Sequence, residues 1–343
     1  MKSSSNSISI YRFSINLFFI LFLSVPTLGF SQFVFEPKTG KSTLLSEKTT
    51  ILENIIYKTN EKGNSMALDI YTPKDTSTEK LPVVIYVYGG GWVKGDKTIR
   101  SETYIEDMFL KLVEKKYAVI AINYTLLDKD IHFPLPLQDT KDAVRWVRKN
   151  AEKYNFDTNN IGFFGTSSGA HLSMLAAYTR DNEFIGSPEL SNYSAKVNYV
   201  VDNYGPADLN TLLHTRIGKV PVYFIGLIFS DKIVTLRENL IDGISGYDIK
   251  KDKRKIIQNF KTLSPVSYVD TAVPTLIVHG DKDKVVPLQQ SKKLSRKLKK
   301  ANVQNSLIIV KDGIHGFGTT DKTYIHQIDD EMVDFIVSQK KAN

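Results

Sequence analysis

Cysteine is absent from all 343 residues. That excludes disulfides, thiolate metal sites and a lipid-modified cysteine, so an exported form of this chain must be held by its core, for which its length suffices. Internal repeats and low-complexity tracts are missing as well, which leaves a single domain over residues 32–343. Aromatic residues are missing from the densest basic cluster, "SKKLSRKLKKAN" at 291–302. Its Leu294 and Leu298 recur at helical spacing, which makes it a solvated helix face. With no rings interleaved to stack on bases, nucleic acid is excluded as a partner. The formal charge of +8 falls to about +6 without the first 31 residues, which carry Lys2 and Arg12 and no acid.

A long apolar run is the next thing lacking. The N-terminus begins with basic residues, continues apolar from about Ile15 to Leu23, and then reaches Pro26 and the small residues Gly29 and Ser31. A bilayer span needs about 20 apolar residues, so this is the plan of a signal peptide over residues 1–31, cleaved after Ser31, and not of a stable membrane anchor. Export to the periplasm or medium is expected.

What is present is an alternation. After a hairpin pattern in "NIIYKTNEKGNSMALDIYTPKD", the runs "LPVVIYVYGGG", "KYAVIAINYTLL", "NIGFFGTSS", "VNYVVDNYG", "PTLIVHGD" and "NSLIIVKDG" are separated by helical patterns. Continuous apolar runs of this kind predict an α/β fold with a mostly parallel sheet covered by helices on both faces. The helix predicted at 137–154 sets Ala143, Trp146, Val147 and Ala151 on one stripe with charges opposite. Residues 207–262, with the apolar "VPVYFIGLIF" and the basic "GYDIKKDKRKII", do not fit the alternation; they read either as core helices or as a lid over a site.

Chemistry gathers where the third of these runs meets a helix. Gly165-Thr166-Ser167-Ser168-Gly169, between an apolar strand and "AHLSMLAA", has the strand, sharp turn and helix of a G-x-S-x-G nucleophile elbow. Glycine on both sides lets strand and helix approach closely. Only Ser167 has a glycine two positions away on each side, so it is the candidate nucleophile, and the Ser168 N–H at the helix start can donate to an oxyanion.

A serine needs a base and an orienting acid, which on this fold follow in the order serine, acid, histidine. His171 sits in the elbow helix and is expected to pack there, while His279 falls in a strand end. His315, in "VKDGIHGF" after the last strand, is the candidate base. Asp281 and Asp283 both stand at the carboxyl end of a predicted strand, where open α/β sheets place their sites. Gly89-Gly90-Gly91, at the end of "VIYVYGGGW", offers unobstructed N–H groups for an oxyanion, and that loop lacks the G-x-G-x-x-G spacing or Gly-Lys-Ser/Thr ending of a phosphate loop.

The ordered set "YGGGW", "GTSSGAHL", "NYGPADL", "SPVSYV", "HGDKDKVVP" and "IHGF" resembles the α/β-hydrolase superfamily over about residues 50–338. Within it the chain is most similar to esterases related to hormone-sensitive lipase and to bacterial carbohydrate or feruloyl esterases. The resemblance implies the α/β-hydrolase fold, a triad of Ser167, Asp283 and His315, an oxyanion hole from the N–H groups of Gly90, Gly91 and Ser168, and no cofactor or metal. It makes Asp283 the acid and leaves Asp281 as a turn residue. Trp92, Tyr204 and Phe317, adjoining these motifs, are expected to line the substrate pocket. Tyr88 replaces the histidine of the common His-Gly-Gly-Gly, which leaves the fixing of that loop open. Thr166 and Ser168 depart from Gly-Asp-Ser-Ala-Gly but stay small.

The activity implied is hydrolysis of short acyl or aryl esters, either small molecules or acetyl and feruloyl esters of polysaccharide. An arylformamidase-like amidase shares these motifs. A peptidase of the prolyl oligopeptidase type would carry a large propeller ahead of them, and a binding protein on this fold would usually lose a triad member.

Overall fold

The computed structural model describes residues 39–59, 63–75, 79–216, 231–318 and 320–341. The expected signal segment and the apolar run at 220–229 lie outside these residues.

The hairpin expected near the start is β1 (Thr49–Thr59) against β2 (Ser65–Pro73), paired antiparallel. The six apolar runs become β3 (Leu81–Val87), β4 (Ala118–Ile122), β5 (Phe156–Thr166), β6 (Val200–Asn203), β7 (Thr275–Gly280) and β8 (Asn305–Val310). They join one sheet of order β1-β2-β4-β3-β5-β6-β7-β8, antiparallel as far as β4 and parallel from there on. Every residue of β4 and β6 is buried, as central parallel strands require. β8 departs from the expectation of a strand covered on both faces: it is the edge, and Ile309 is exposed.

The helices are α1 (Thr43–Lys48), α2 (Tyr104–Glu114), α3 (Leu135–Lys149), α4 (Ala151–Tyr154), α5 (Ser168–Tyr178), α6 (Leu209–Leu212), α7 (Asp231–Ser245), α8 (Lys253–Thr262), α9 (Gln289–Lys300) and α10 (Lys322–Ser338). The basic cluster forms α9 as expected, with Leu294 and Leu298 buried beneath its lysines. In the stretch 207–262, Ile241, Ile244, Ile256 and Phe260 are buried in the main core, so the described parts of α7 and α8 are packed as core elements.

Two features of the predicted helix at 137–154 are corrected. It starts at Leu135 and breaks at Asn150, whose backbone N–H and Nδ2 both donate to the Trp146 carbonyl. Its charges do not all face solvent: Asp139, Lys141, Asp142 and Arg145 are buried. The reason is that residues 179–196 wrap over this face. Lys141 Nζ donates to the carbonyls of Arg180 and Glu183, Arg145 Nη2 to that of Asp181, and the Ser187 N–H to Asp142 Oδ2. From the other side Lys58, on β1, reaches Asp139 at 2.9 Å and Asp142 at 2.7 Å. Burial opposes its ammonium, but the two carboxylates hold its pKa above the usual lysine value. Removing one partner of a buried ion cluster leaves uncompensated charge. Lys58→Met is therefore expected to cost about 3–5 kcal/mol and to lower the thermal midpoint by about 5–10 °C; an unchanged melting curve would show the cluster to be dispensable.

The order of the strands positions the chemistry. β3 has β4 on one side and β5 on the other, so chain connections leave it in opposite directions and open a crevice at the carboxyl ends of the strands. The loops after β3, β5, β6, β7 and β8 all emerge along that edge.

Candidate active site

Ser167 stands between β5 and α5 with φ 51° and ψ −119°, a conformation that non-glycine residues adopt only when surrounding structure enforces it. Here the enforcement is visible: its N–H donates to the Asn203 carbonyl at the end of β6, and its carbonyl accepts from His171 one turn into α5. The flanking glycines are dictated by close packing. A Cβ at Gly169 would lie 2.1 Å from the Val87 carbonyl oxygen of β3, and one at Gly165 would lie 2.6 Å from Ala170 Cα. Strand, turn and helix could not approach this closely with any larger residue.

The three residues expected to act together meet in one chain of hydrogen bonds. His315 lies in the loop after β8 with Nε2 2.9 Å from Ser167 Oγ and Nδ1 2.7 Å from Asp283 Oδ2. The carboxylate accepts from Nδ1–H, which leaves the Nε2 lone pair facing the serine hydroxyl. Asp283 is itself held at its other oxygen, where the backbone N–H groups of Val285 and Val286 donate at 2.8 and 2.9 Å. Burial opposes its charge, but the hydrogen bonds from His279 and His315 prevail and hold the Asp283 carboxyl down at about 2. Asp281 makes no such contact; its side chain lies 3.9 Å from Lys282.

The loop after β3 turns sharply. The Gly90 carbonyl accepts from the N–H groups of Val93 and Lys94, and Gly90 has φ 136° with no room for a Cβ, which would fall 2.0 Å from the Lys94 oxygen. Among the described residues, the N–H groups of Gly90 and Gly91 have no hydrogen-bond acceptor in the protein, and the Ser168 N–H is one of the donors a helix start leaves unused. Tyr88 fixes the loop. Its ring stacks on Tyr124 at 4.5 Å, and its carbonyl accepts from the Tyr124 hydroxyl.

Aromatic residues surround the hydrogen-bonded chain. Tyr204 meets the His315 ring edge-on at 4.7 Å and Phe317 at 5.0 Å. Both are buried beside it. Trp92 is buried too, against Phe133 and His171. His171 packs as expected: it is fully buried, its Nε2 donates to the Leu263 carbonyl, and burial pushes its pKa down to about 4.

Sequence reasoning missed three residues near this chain of hydrogen bonds. His279 lies in the end of β7 as expected, but its Nε2 also lies 3.3 Å from Asp283 Oδ2 while donating to the Val286 carbonyl. The pattern "HGDKD" contained that i, i+4 relation. Tyr104, on α2, shares a 2.6 Å hydrogen bond with the Tyr204 hydroxyl across 100 positions, for which the sequence offered no signal. Asp202, fully buried at the end of β6, accepts from the Gly205 N–H, and burial pushes its carboxyl up to about 7.

The model of the BD-FAE family matches residues 68–298, most of the chain and including the glycine loop, the elbow and Asp283. The chain belongs to the BD-FAE family. The dienelactone hydrolase family model matches residues 263–340, the part that supplies Asp283 and His315. This BD-FAE member is 26% identical over 256 residues to Esterase LipC of Mycobacterium tuberculosis, covering 74% of this chain and 57% of LipC. It is 27% identical over 277 residues to Esterase LipQ of the same organism, covering 80% and 59%. The chain thus spans somewhat over half the length of these curated relatives. Among solved structures, a truncated carbohydrate esterase from gut microbiota is 28% identical with a TM-score of 0.67, over 85% of this chain and 96% of that one. A thermophilic esterase of Thermogutta terrifontis, 21% identical with a TM-score of 0.63 over 83% and 91%, shares the α/β-hydrolase fold. Among the described residues no helix is long and apolar enough to cross a membrane.

Proposed function

We propose that this protein is an exported serine ester hydrolase working through an acyl-enzyme, with Ser167 as nucleophile, His315 as general base and acid, and Asp283 as the group that orients His315. The observation that carries the reading is the unbroken hydrogen-bond chain from Asp283 through His315 to Ser167. As Ser167 Oγ attacks the acyl carbonyl, its proton passes to His315 Nε2, and the imidazolium that forms is stabilised by the buried Asp283 carboxylate. The N–H groups of Gly90, Gly91 and Ser168 receive the oxyanion, each donor contributing on the order of 3 kcal/mol in the transition state. Collapse expels the alcohol, which takes the proton from His315. Water then gives its proton to the same nitrogen, attacks the acyl-serine and releases the acid.

The substrates proposed are short acyl or aryl esters, with acetyl or feruloyl groups on plant polysaccharide as the natural class. Support comes from the carbohydrate esterase that this chain nearly spans, and from the signal-peptide pattern of residues 1–31, since polysaccharide is met outside the cell. Trp92, Tyr204 and Phe317 would form the wall against which the substrate rests.

The test is turnover of nitrophenyl esters from acetate to octanoate, followed by acetylated and feruloylated oligosaccharides. Highest kcat/KM on acetate, with acid released from the sugar esters, is the expected result. Activity rising toward octanoate, with none on the sugars, would replace the polysaccharide reading with a lipid one. No turnover of any ester would overturn ester hydrolysis itself.

A further inference from the structure

Away from the serine, a second cluster lies between α2 and α10, which pack against each other. Asp107 on α2 and His326 and Asp329 on α10 each point one ligand atom into a space where all three atoms lie within 4.8 Å of one another. His326 and Asp329 stand three residues apart and so share a helix face. Asp107 Oδ2 is 3.5 Å from His326 Nδ1, close to the roughly 3.4 Å expected for two ligands about 2.1 Å from one tetrahedral ion.

The decisive member is Asp329. It is fully buried, and neither of its carboxylate oxygens has a hydrogen-bond partner. A buried carboxylate without partners is costly to maintain and is ordinarily paired or ligated. Among the described residues the ammonium close by is that of Lys111, which donates instead to Asp330 and to the His326 carbonyl. Asp107 and Asp330 stand near Asp329 as further carboxylates. His326 and Asp107 are partly exposed, so water has access to complete a coordination shell.

We propose that Asp107, His326 and Asp329 form a site for one divalent transition-metal cation of the zinc class, which clamps the C-terminal helix onto α2. One imidazole with two carboxylates suits zinc, whereas calcium takes six to eight oxygens. The role is structural. The site joins α2, which carries Tyr104, to the helix that follows the His315 loop, and it shares no residue with the hydrogen-bonded chain at Ser167. It therefore stands independently of the ester-hydrolase reading.

The experiment is metal analysis and thermal melting of the full chain, stripped with chelator and dialysed against Zn²⁺ or Ca²⁺, beside Asp329→Asn and His326→Ala. His326 is half-exposed, so its truncation leaves folding intact and keeps the test open should Asp329→Asn fold poorly. Expected are about one Zn²⁺ per chain and a midpoint rise of about 4 °C at a hundredfold excess over Kd, both lost in His326→Ala, with nitrophenyl acetate turnover of the wild type unchanged by chelator. Zinc binding that persists undiminished in His326→Ala, equal loading by Ca²⁺, or no bound metal in the wild type would each overturn the proposal.

Discussion

Ser167→Ala should lower kcat on nitrophenyl acetate by roughly 10⁶-fold, the loss typical when a triad nucleophile is removed, while the protein folds and melts as the wild type does. The reason folding survives is local. Alanine keeps the Cβ of serine at φ 51°, so the strain of the turn is unchanged, and the backbone bond from residue 167 to the Asn203 carbonyl does not involve the side chain. Ser168→Ala should cost less than roughly tenfold, because what residue 168 would give the oxyanion is a backbone N–H that alanine also has. Steady-state kinetics with circular dichroism on both variants decides it. Equal losses would mean that the apex of the elbow had been misassigned, and full activity in Ser167→Ala would end the serine mechanism.

Asp283→Asn should be the next most damaging change, lowering kcat by roughly 10⁴-fold, the loss seen when an orienting carboxylate becomes an amide. An asparagine there can still accept from the Val285 and Val286 N–H groups through one oxygen. Its amide nitrogen would then face His315 Nδ1 as a donor, which forces the ring proton onto Nε2, where the serine hydroxyl needs a lone pair. Asp281→Asn should stay within a few-fold of wild type. The opposite ranking would transfer the acid to position 281.

The same residue carries a pH signature. Because the folded Asp283 carboxyl lies near 2, below its unfolded value, the chain gains roughly 2 kcal/mol from it above pH 4. That gain disappears as pH falls through about 4 toward 2, and Asp283→Asn, which has no proton to take up there, should lack this part of the acid transition. Urea unfolding between pH 2 and 6 measures the difference; identical pH slopes in the two proteins would show that Asp283 is not held ionised by its histidines.

Much of this site was legible before the fold was seen, because its parts are local. The two elbow glycines, the serine between them and the triple glycine after an apolar strand are each dictated by what one turn of backbone must do, and a turn is written in neighbouring residues. The base could be placed because the order of strands put His315 in the last loop. The choice between Asp281 and Asp283 was different. Both end the same strand, and only the resemblance of "HGDKDKVVP" to known hydrolases separated them; the structure then brought Asp283, and not Asp281, within 2.7 Å of His315.

What stayed hidden depends on distant parts of the chain. The charges of α3 read as a solvated face because a helical pattern cannot reveal that residues 179–196 will fold over it and offer carbonyls to Lys141 and Arg145. Tyr104 beside Tyr204, and Asp107 beside His326 and Asp329, are likewise pairings of residues one or two hundred positions apart. The strands, the elbow and the order of the candidate catalytic groups are readable along the chain, since periodicity and turn chemistry act between neighbours. Which charges are buried, and where a buried carboxylate is left without a partner beside a histidine, follow instead from which distant surfaces the sheet and its helices bring into contact.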